Sequence, residues 1–172
     1  TRKLARRGVD VLGAEPDLLD TIPVAAAMTR AFEPVSPTDP VSGLAERFAL
    51  SDVPSLPVVD GEKRLVGIVS RSDMEEALLR GQGESRVGDV MTPGPVTCAL
   101  DESLTLALQR LSLRDVAALP VVDPGQDDRV VGMLRRRDII AAYQRARRER
   151  PEFAARVDRL RESLTGARVF EM

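Results

Sequence analysis

Leu56-Pro57-Val58-Val59-Asp60 returns as Leu119-Pro120-Val121-Val122-Asp123, 63 positions downstream, and that recurrence decides the fold. The matches extend outward in both directions. Met28-Thr29 recurs as Met91-Thr92 at the same spacing. Val66-Gly67 recurs as Val131-Gly132 and Asp73 as Asp138, now 65 apart, because the loop Gly61-Glu62-Lys63 has become Pro124-Gly125-Gln126-Asp127-Asp128. Four blocks in one order at a nearly fixed period mean one structural unit of roughly 60 residues used twice.

Both copies follow one pattern. A short strand comes first, Pro34–Ser36 or Pro95–Thr97. A helix follows; in copy one Asp39 can cap it with Pro40 at its first position. Val41, Leu44, Ala45 and Phe48 then share one apolar face, as do Leu104, Ala107, Leu108 and Leu111 in copy two. Two β-branched runs, Pro57–Val59 and Leu65–Val69, are joined by an Asp60-Gly61 turn that predicts a hairpin. A second helix near Asp73 carries Met74, Ala77 and Leu78 inward. The unit is therefore β-α-β-β-α. Its sheet leaves one face open, so two copies are expected to pack together by pseudo-twofold symmetry into one α+β module. The divisions expected are a linker over 1–21, repeats over 22–80 and 81–148, and a C-terminal helical extension over 149–172. In that extension Pro151 breaks the preceding helix, and Phe153, Val157, Leu160 and Leu164 form a stripe that must pack on the module, a second subunit or a further domain.

Composition excludes several classes. The chain has 172 residues, 43% hydrophobic and 30% charged, with 25 basic against 27 acidic residues, no His and no Trp. That length buries about 70% of its unfolded surface without a disulfide or metal staple. The near-neutral balance and five aromatic residues argue against nucleic acid as a partner. The longest stretch without a charge, Val90–Leu100, is too short to cross a bilayer, which needs about 20 residues. Arg135-Arg136-Arg137 with Arg145, Arg147, Arg148 and Arg150 reads as a solvated helix face or a binding patch. The lone Cys98 reads as core. Without a histidine the usual general base near neutral pH is missing, and no enzyme activity is expected. Asp127-Asp128 reads as a solvated loop pair, with no metal site expected.

The Met-Thr segments, the two Leu-Pro-Val-Val-Asp strands, and Gly67-Ile-Val-Ser-Arg-Ser-Asp73 with Gly132-Met-Leu-Arg-Arg-Arg-Asp138 resemble the cystathionine-β-synthase (CBS) domain. Two in tandem resemble a Bateman module, over roughly residues 22–148. Thr1-Arg-Lys-Leu-Ala-Arg-Arg-Gly-Val-Asp-Val-Leu12 is similar to the segment that leaves the last membrane helix of CLC-type chloride channels and chloride/proton exchangers. Thr165–Met172 resembles the start of a further small regulatory domain found in potassium-uptake regulators. These likenesses imply a regulatory module at the cytoplasmic face of the membrane. It would be attached to its own transmembrane chloride-transport domain, form a homodimer, and sense an adenine nucleotide (ATP, ADP or AMP). A ligand-free dimerisation module, or a CBS pair attached to an enzyme or a divalent-cation transporter, are the alternatives.

The resemblance also implies a site. An Asp opening the second helix would accept hydrogen bonds from both ribose hydroxyls; here these are Asp73 and Asp138. Adenine would lie beside Val53, Ser55, Leu56 and Pro57, or beside Val116, Ala118, Leu119 and Pro120. One pocket would combine Ser36, Val53 and Leu56 with Asp138, next to Arg137; the other would combine Thr97 and Leu119 with Ser70 and Asp73. Ser70 and Asp73 also form a capping-box pattern that accounts for both residues without a ligand. Arg135 stands where the pattern has Ser or Thr, so it would either fill the pocket or reach a phosphate.

Overall fold

The computed structural model describes residues 16–114, 116–149 and 159. The C-terminal stripe and the resemblances at Thr1–Leu12 and Thr165–Met172 lie outside them. Helix α1 (Pro16–Thr21) comes first, then a 3-10 turn at Val24–Ala26. Copy one continues with a 3-10 turn at Val41–Gly43, α2 (Leu44–Ala49), β1 (Ser55–Val59), β2 (Leu65–Ser70) and α3 (Arg71–Leu79). Copy two contains α4 (Val87–Val90), β3 (Thr92–Pro93), β4 (Cys98–Ala99), α5 (Leu104–Arg114), β5 (Ala118–Asp123), β6 (Arg129–Arg135) and α6 (Arg136–Glu149).

The two hairpins pair antiparallel in equivalent registers, Val58 opposite Gly67 and Val121 opposite Gly132, each followed by a bulge. The first strand runs parallel beside each hairpin: Cys98 pairs Val121, and Val35 pairs Val58 as a single bridge. Val35 and Cys98 stand 63 apart, so Ser36 corresponds to Ala99. The expected match of Pro34–Ser36 with Pro95–Thr97 was two residues out of step. Burial explains the observed register, since it turns both Val35 and Cys98 into the core.

The copies exchange their leading segments. Thr92-Pro93 pairs with β2 of copy one, while Thr29 exchanges two hydrogen bonds with Met133 on β6 (2.8 and 2.9 Å). Val24 N–H donates to the Glu102 carbonyl and Val87 N–H to that of Asp39, again 63 apart on both sides. Leu104 N–H to Ile22 and Val41 N–H to Ser85 repeat the exchange. The first sheet therefore ends on a strand borrowed from the other copy, and the second is bordered by a single bridge from it. Arg145 contributes as well, donating to the Ala26 carbonyl at 3.1 Å.

Two apolar cores follow from this exchange. One joins Leu44, Phe48, Leu56, Val58 and Met74 with Val87 of the second copy. The other joins Leu104, Leu111, Leu119, Leu134 and Ile139 with Val24 and Ala27 of the first. Leu18 and Leu19 belong to the second core, so residues 16–21, expected as linker, form a docked helix instead. Ala45 and Leu78, expected to face inward, are exposed. Asp39 does not cap a helix; its Oδ2 accepts from Ser36 N–H at 2.9 Å, closing a local turn. Cys98 lies in the core, and burial pushes its thiol pKa up to about 12, which leaves it protonated and inert.

Candidate functional site

The N-termini of α3 and α6 converge on the seam between the copies, carrying Ser70-Arg71-Ser72-Asp73 and Arg135-Arg136-Arg137-Asp138. On α3 the capping box is complete: Asp73 N–H donates to Ser70 Oγ (3.0 Å) and Ser70 N–H to Asp73 Oδ2 (2.8 Å). The other oxygen, Oδ1, makes no hydrogen bond among the described residues. Capping thus uses one carboxylate oxygen, and Asp73 lines a cleft of about 500 Å³. Ser55, Ile68, Thr92, Pro95, Val96 and Val116–Ala118 also line that cleft. Ser55 is 7% exposed, and its hydroxyl has no hydrogen-bond partner among the described residues. The lining sets apolar walls beside Ser55, Ser70, Asp73, Thr92 and Arg114, a mixture expected of a small-molecule site.

At the pseudo-equivalent aspartate both carboxylate oxygens are taken up within the chain. Arg135, at the position of Ser70, turns its guanidinium onto Asp138: Nε donates to Oδ2 at 2.9 Å and Nη2 to Oδ1 at 2.8 Å. Arg135 N–H takes Oδ2 as well (2.8 Å), so both carboxylate oxygens are engaged. The pair is largely withdrawn from water, with side chains 13% and 11% exposed, and the hydrogen bond to Asp138 holds the Arg135 pKa above its ordinary value. The remaining nitrogen, Nη1, reaches the Asp52 carbonyl of copy one. Two apolar positions also differ between the copies. Met133 stands where the open cleft has Ile68, and Phe32 where it has Pro95; both belong to or pack against the copy-one core.

The expected residues divide accordingly. Ser55, Ser70, Asp73 and Val116 line the open cleft. Val53, Val116 and Arg137 line a neighbouring cleft of about 630 Å³. Leu56, Pro57, Leu119 and Pro120 are strand residues whose side chains are buried and line neither. Ser36 is drawn away by a hydrogen bond between its hydroxyl and that of Thr38 (2.9 Å). Thr97 lies beyond the lining residue Val96, its carbonyl held by Arg110 at 3.1 Å. Sequence reading passed over Phe32, Met133, Arg71 and Asp52 as site residues, and had Arg136 only within a basic cluster. The first two were recoverable by carrying the 63- and 65-residue offsets through every position.

A clamp supports the floor beside Val96. Arg110 donates through both terminal nitrogens to Glu102 (2.6 and 2.7 Å), and Ala99 N–H donates to the same carboxylate at 2.7 Å. Arg110 first, then the Ala99 amide, holds the Glu102 carboxyl below its ordinary value near 4.5. A depressed folded value stabilises above the unfolded one and is lost as pH falls through the folded value. Glu102→Gln is therefore expected to be about 1 kcal/mol less stable at neutral pH. That deficit should shrink below pH 4.5 in urea melts at stepped pH.

Two β-α-β-β-α repeats that exchange their leading segments around inter-repeat clefts define a tandem pair of one domain type. The CBS-domain family profile matches residues 24–80 and 87–145, and the chain belongs to the CBS-domain family. CBSX2 from Arabidopsis thaliana is 29% identical, with a TM-score of 0.66 over 73% of this chain and 96% of that one. CBSX2 has also been solved in complex with AMP (TM-score 0.62, 72% and 96% covered). The CBS pair of protein MJ0100, solved with 5′-methylthioadenosine and S-adenosyl-L-methionine, is 25% identical at a TM-score of 0.59, covering 69% and 92%. An inosine-5′-monophosphate dehydrogenase of Methanocaldococcus jannaschii is 32% identical over 118 residues, 67% of this chain and 23% of the enzyme. The chain spans only 17% to 23% of the length of the first curated relatives it matches. Among the described residues no helix is long and apolar enough to cross a membrane.

Proposed function

We propose that this CBS pair is a regulatory rather than catalytic unit that binds one adenine nucleotide per chain, in the Asp73 cleft. The observation that carries this reading is Asp73 in the lining of a cleft, its capping role using only one oxygen of a carboxylate that can accept from two vicinal hydroxyls. The AMP and S-adenosyl-L-methionine complexes of relatives support the ligand class. A ligand that prefers one arrangement of the exchanged repeats would shift that arrangement and bias an attached domain.

Calorimetry with ATP, ADP, AMP and S-adenosyl-L-methionine tests the reading. One site per chain is expected, weakened about tenfold or more in Asp73→Ala and left within about twofold in Asp138→Asn. No heat from any of the four at millimolar concentration overturns it and leaves the ligand-free dimerisation module. A homodimer is proposed on Leu50 and Leu113, exposed leucines 63 apart on the two copies. A monomer by light scattering at high concentration would remove it.

Two observations bear on the host. Thr1–Leu12 supports a chloride-transport domain upstream, and the dehydrogenase match supports an enzyme. About 20 apolar residues immediately before Thr1 in the gene would decide for the membrane protein.

A further inference from the structure

We infer that Met28 and Met91 are a pair of reversible oxidation sites, one at each crossing between the copies, and that their sulfoxides loosen the exchange of leading segments, whatever ligand the clefts take. Oxidisable side chains are few: the chain has no Trp, no His, one Cys and five Met. Cys98 is buried with its thiol pKa pushed up to about 12, so it holds almost no thiolate for a peroxide to meet. Met133 is fully buried and Met74 nearly so, and Met172 lies outside the described residues. Met28 and Met91 are half-buried, which leaves both partly open to a small oxidant.

The two methionines stand 63 apart, and each presses on the other copy. Met28 packs against the core that Leu104, Leu119 and Leu134 build, and Met91 against the core of Leu44, Leu56 and Val58. Each thioether lies against a hairpin glycine: Met28 Sδ would stand 2.6 Å from a Cβ at Gly132, and Met91 Sδ would meet one at Gly67. The sulfur therefore fills the room a side chain would take, and no space remains for an oxygen on its inner side. The next residue of each segment makes the crossing itself. Thr29 exchanges backbone hydrogen bonds with Met133, and Thr92 pairs opposite Ile68.

Hydrogen peroxide supplies the chemistry. A sulfur lone pair attacks one peroxide oxygen, the S–O bond forms as the O–O bond breaks, and the second oxygen takes the proton of the first and leaves as water. Sulfur loses two electrons in that step; a thiol-dependent sulfoxide reductase returns them and releases the oxygen as water. In the oxidised state a polar S=O group replaces an apolar sulfur at a packed strand edge. That buries a strong acceptor at a cost and forces the segment outward. Thr92 also lines the Asp73 cleft, so displacement of the Met91 segment reshapes that cleft as well.

Peroxide treatment of the whole folded chain, followed by peptide mass spectrometry and thermal melts, tests this. Met28 and Met91 are expected to gain oxygen about fivefold or more faster than Met74 and Met133. The chain oxidised at both should melt about 4 °C or more below the parent, and reductase with dithiothreitol should restore the parent melting point. Met28→Leu/Met91→Leu, close in volume to the parent, should keep its melting point through the same treatment. Equal rates at all four methionines, an oxidised chain that melts with the parent, or a double variant that loses as much as the parent would each overturn the sites. Should the double variant fold poorly, the parent time course decides. A melting point that falls with oxygen at Met28 and Met91 upholds the pair, and one that falls only with oxygen at Met74, Met133 or Met172 overturns it.

Discussion

Truncating Leu19 to alanine is expected to lower the unfolding free energy by about 2–5 kcal/mol, although the residue precedes the first repeat. Leu19 is fully buried, in the core that Leu104, Leu111 and Ile139 build for copy two. Removing three carbons there forfeits their transfer free energy and leaves a cavity that three packed helices, α1, α5 and α6, cannot close without moving apart. Asp20→Ala, exposed on the same helix, is the control and should stay within about 0.5 kcal/mol of the parent. Urea denaturation of both variants measures the difference. A Leu19→Ala chain as stable as the control would mean that α1 does not dock in solution.

The repeat, the β-α-β-β-α order and the pairing of two copies were all readable because they follow from residue identity at a fixed offset and from apolar periodicity. The exchange of leading segments was not. Nothing in Met28-Thr29 says which hairpin it will border, because both hairpins offer a glycine of the same kind at that edge. The helix at Pro16–Thr21 was hidden by its brevity. Six residues with two adjacent leucines show no helical period, and their burial depends on a partner nearly 90 positions away.

The candidate site was legible to a similar depth. Asp73 and its capping partner follow from local pattern, and the sequence offered two outcomes for Arg135, filling the pocket or meeting a phosphate. In the structure the Arg135 guanidinium is taken up by Asp138. Strand alternation turns the side chains of Leu56 and Leu119 into the cores, while Ser55, one position earlier, lines the open cleft. The two-residue misalignment of Ser36 with Thr97 came from trusting a Pro-Val pair over the period; the period was the stronger constraint.

Gly132→Val is expected to cost about 3 kcal/mol, with much of that recovered when Met28 is shortened in the same chain. A Cβ at Gly132 would stand 2.6 Å from Met28 Sδ, 3.0 Å from Cγ and 3.1 Å from Cβ. The three nearest atoms therefore belong to one side chain, supplied by the other copy. Met28→Ala removes the two closest, so the double variant should lose about 1–2 kcal/mol less than the sum of its parts. The pseudo-equivalent position behaves differently. At Gly67 a Cβ would meet Met91 Cγ at 3.0 Å, but also the Thr92 carbonyl oxygen at 3.0 Å. That carbonyl belongs to β3, where Thr92 pairs opposite Ile68, and cannot retreat without disturbing the borrowed strand. Met91→Ala should therefore rescue Gly67→Val much less than Met28→Ala rescues Gly132→Val. Paired denaturation cycles at the two positions measure both couplings. Equal rescue at the two glycines would show that the strand edges yield as readily as the methionines. It would leave the contact between the copies resting on side-chain packing, with the β2–β3 pairing adding little to it.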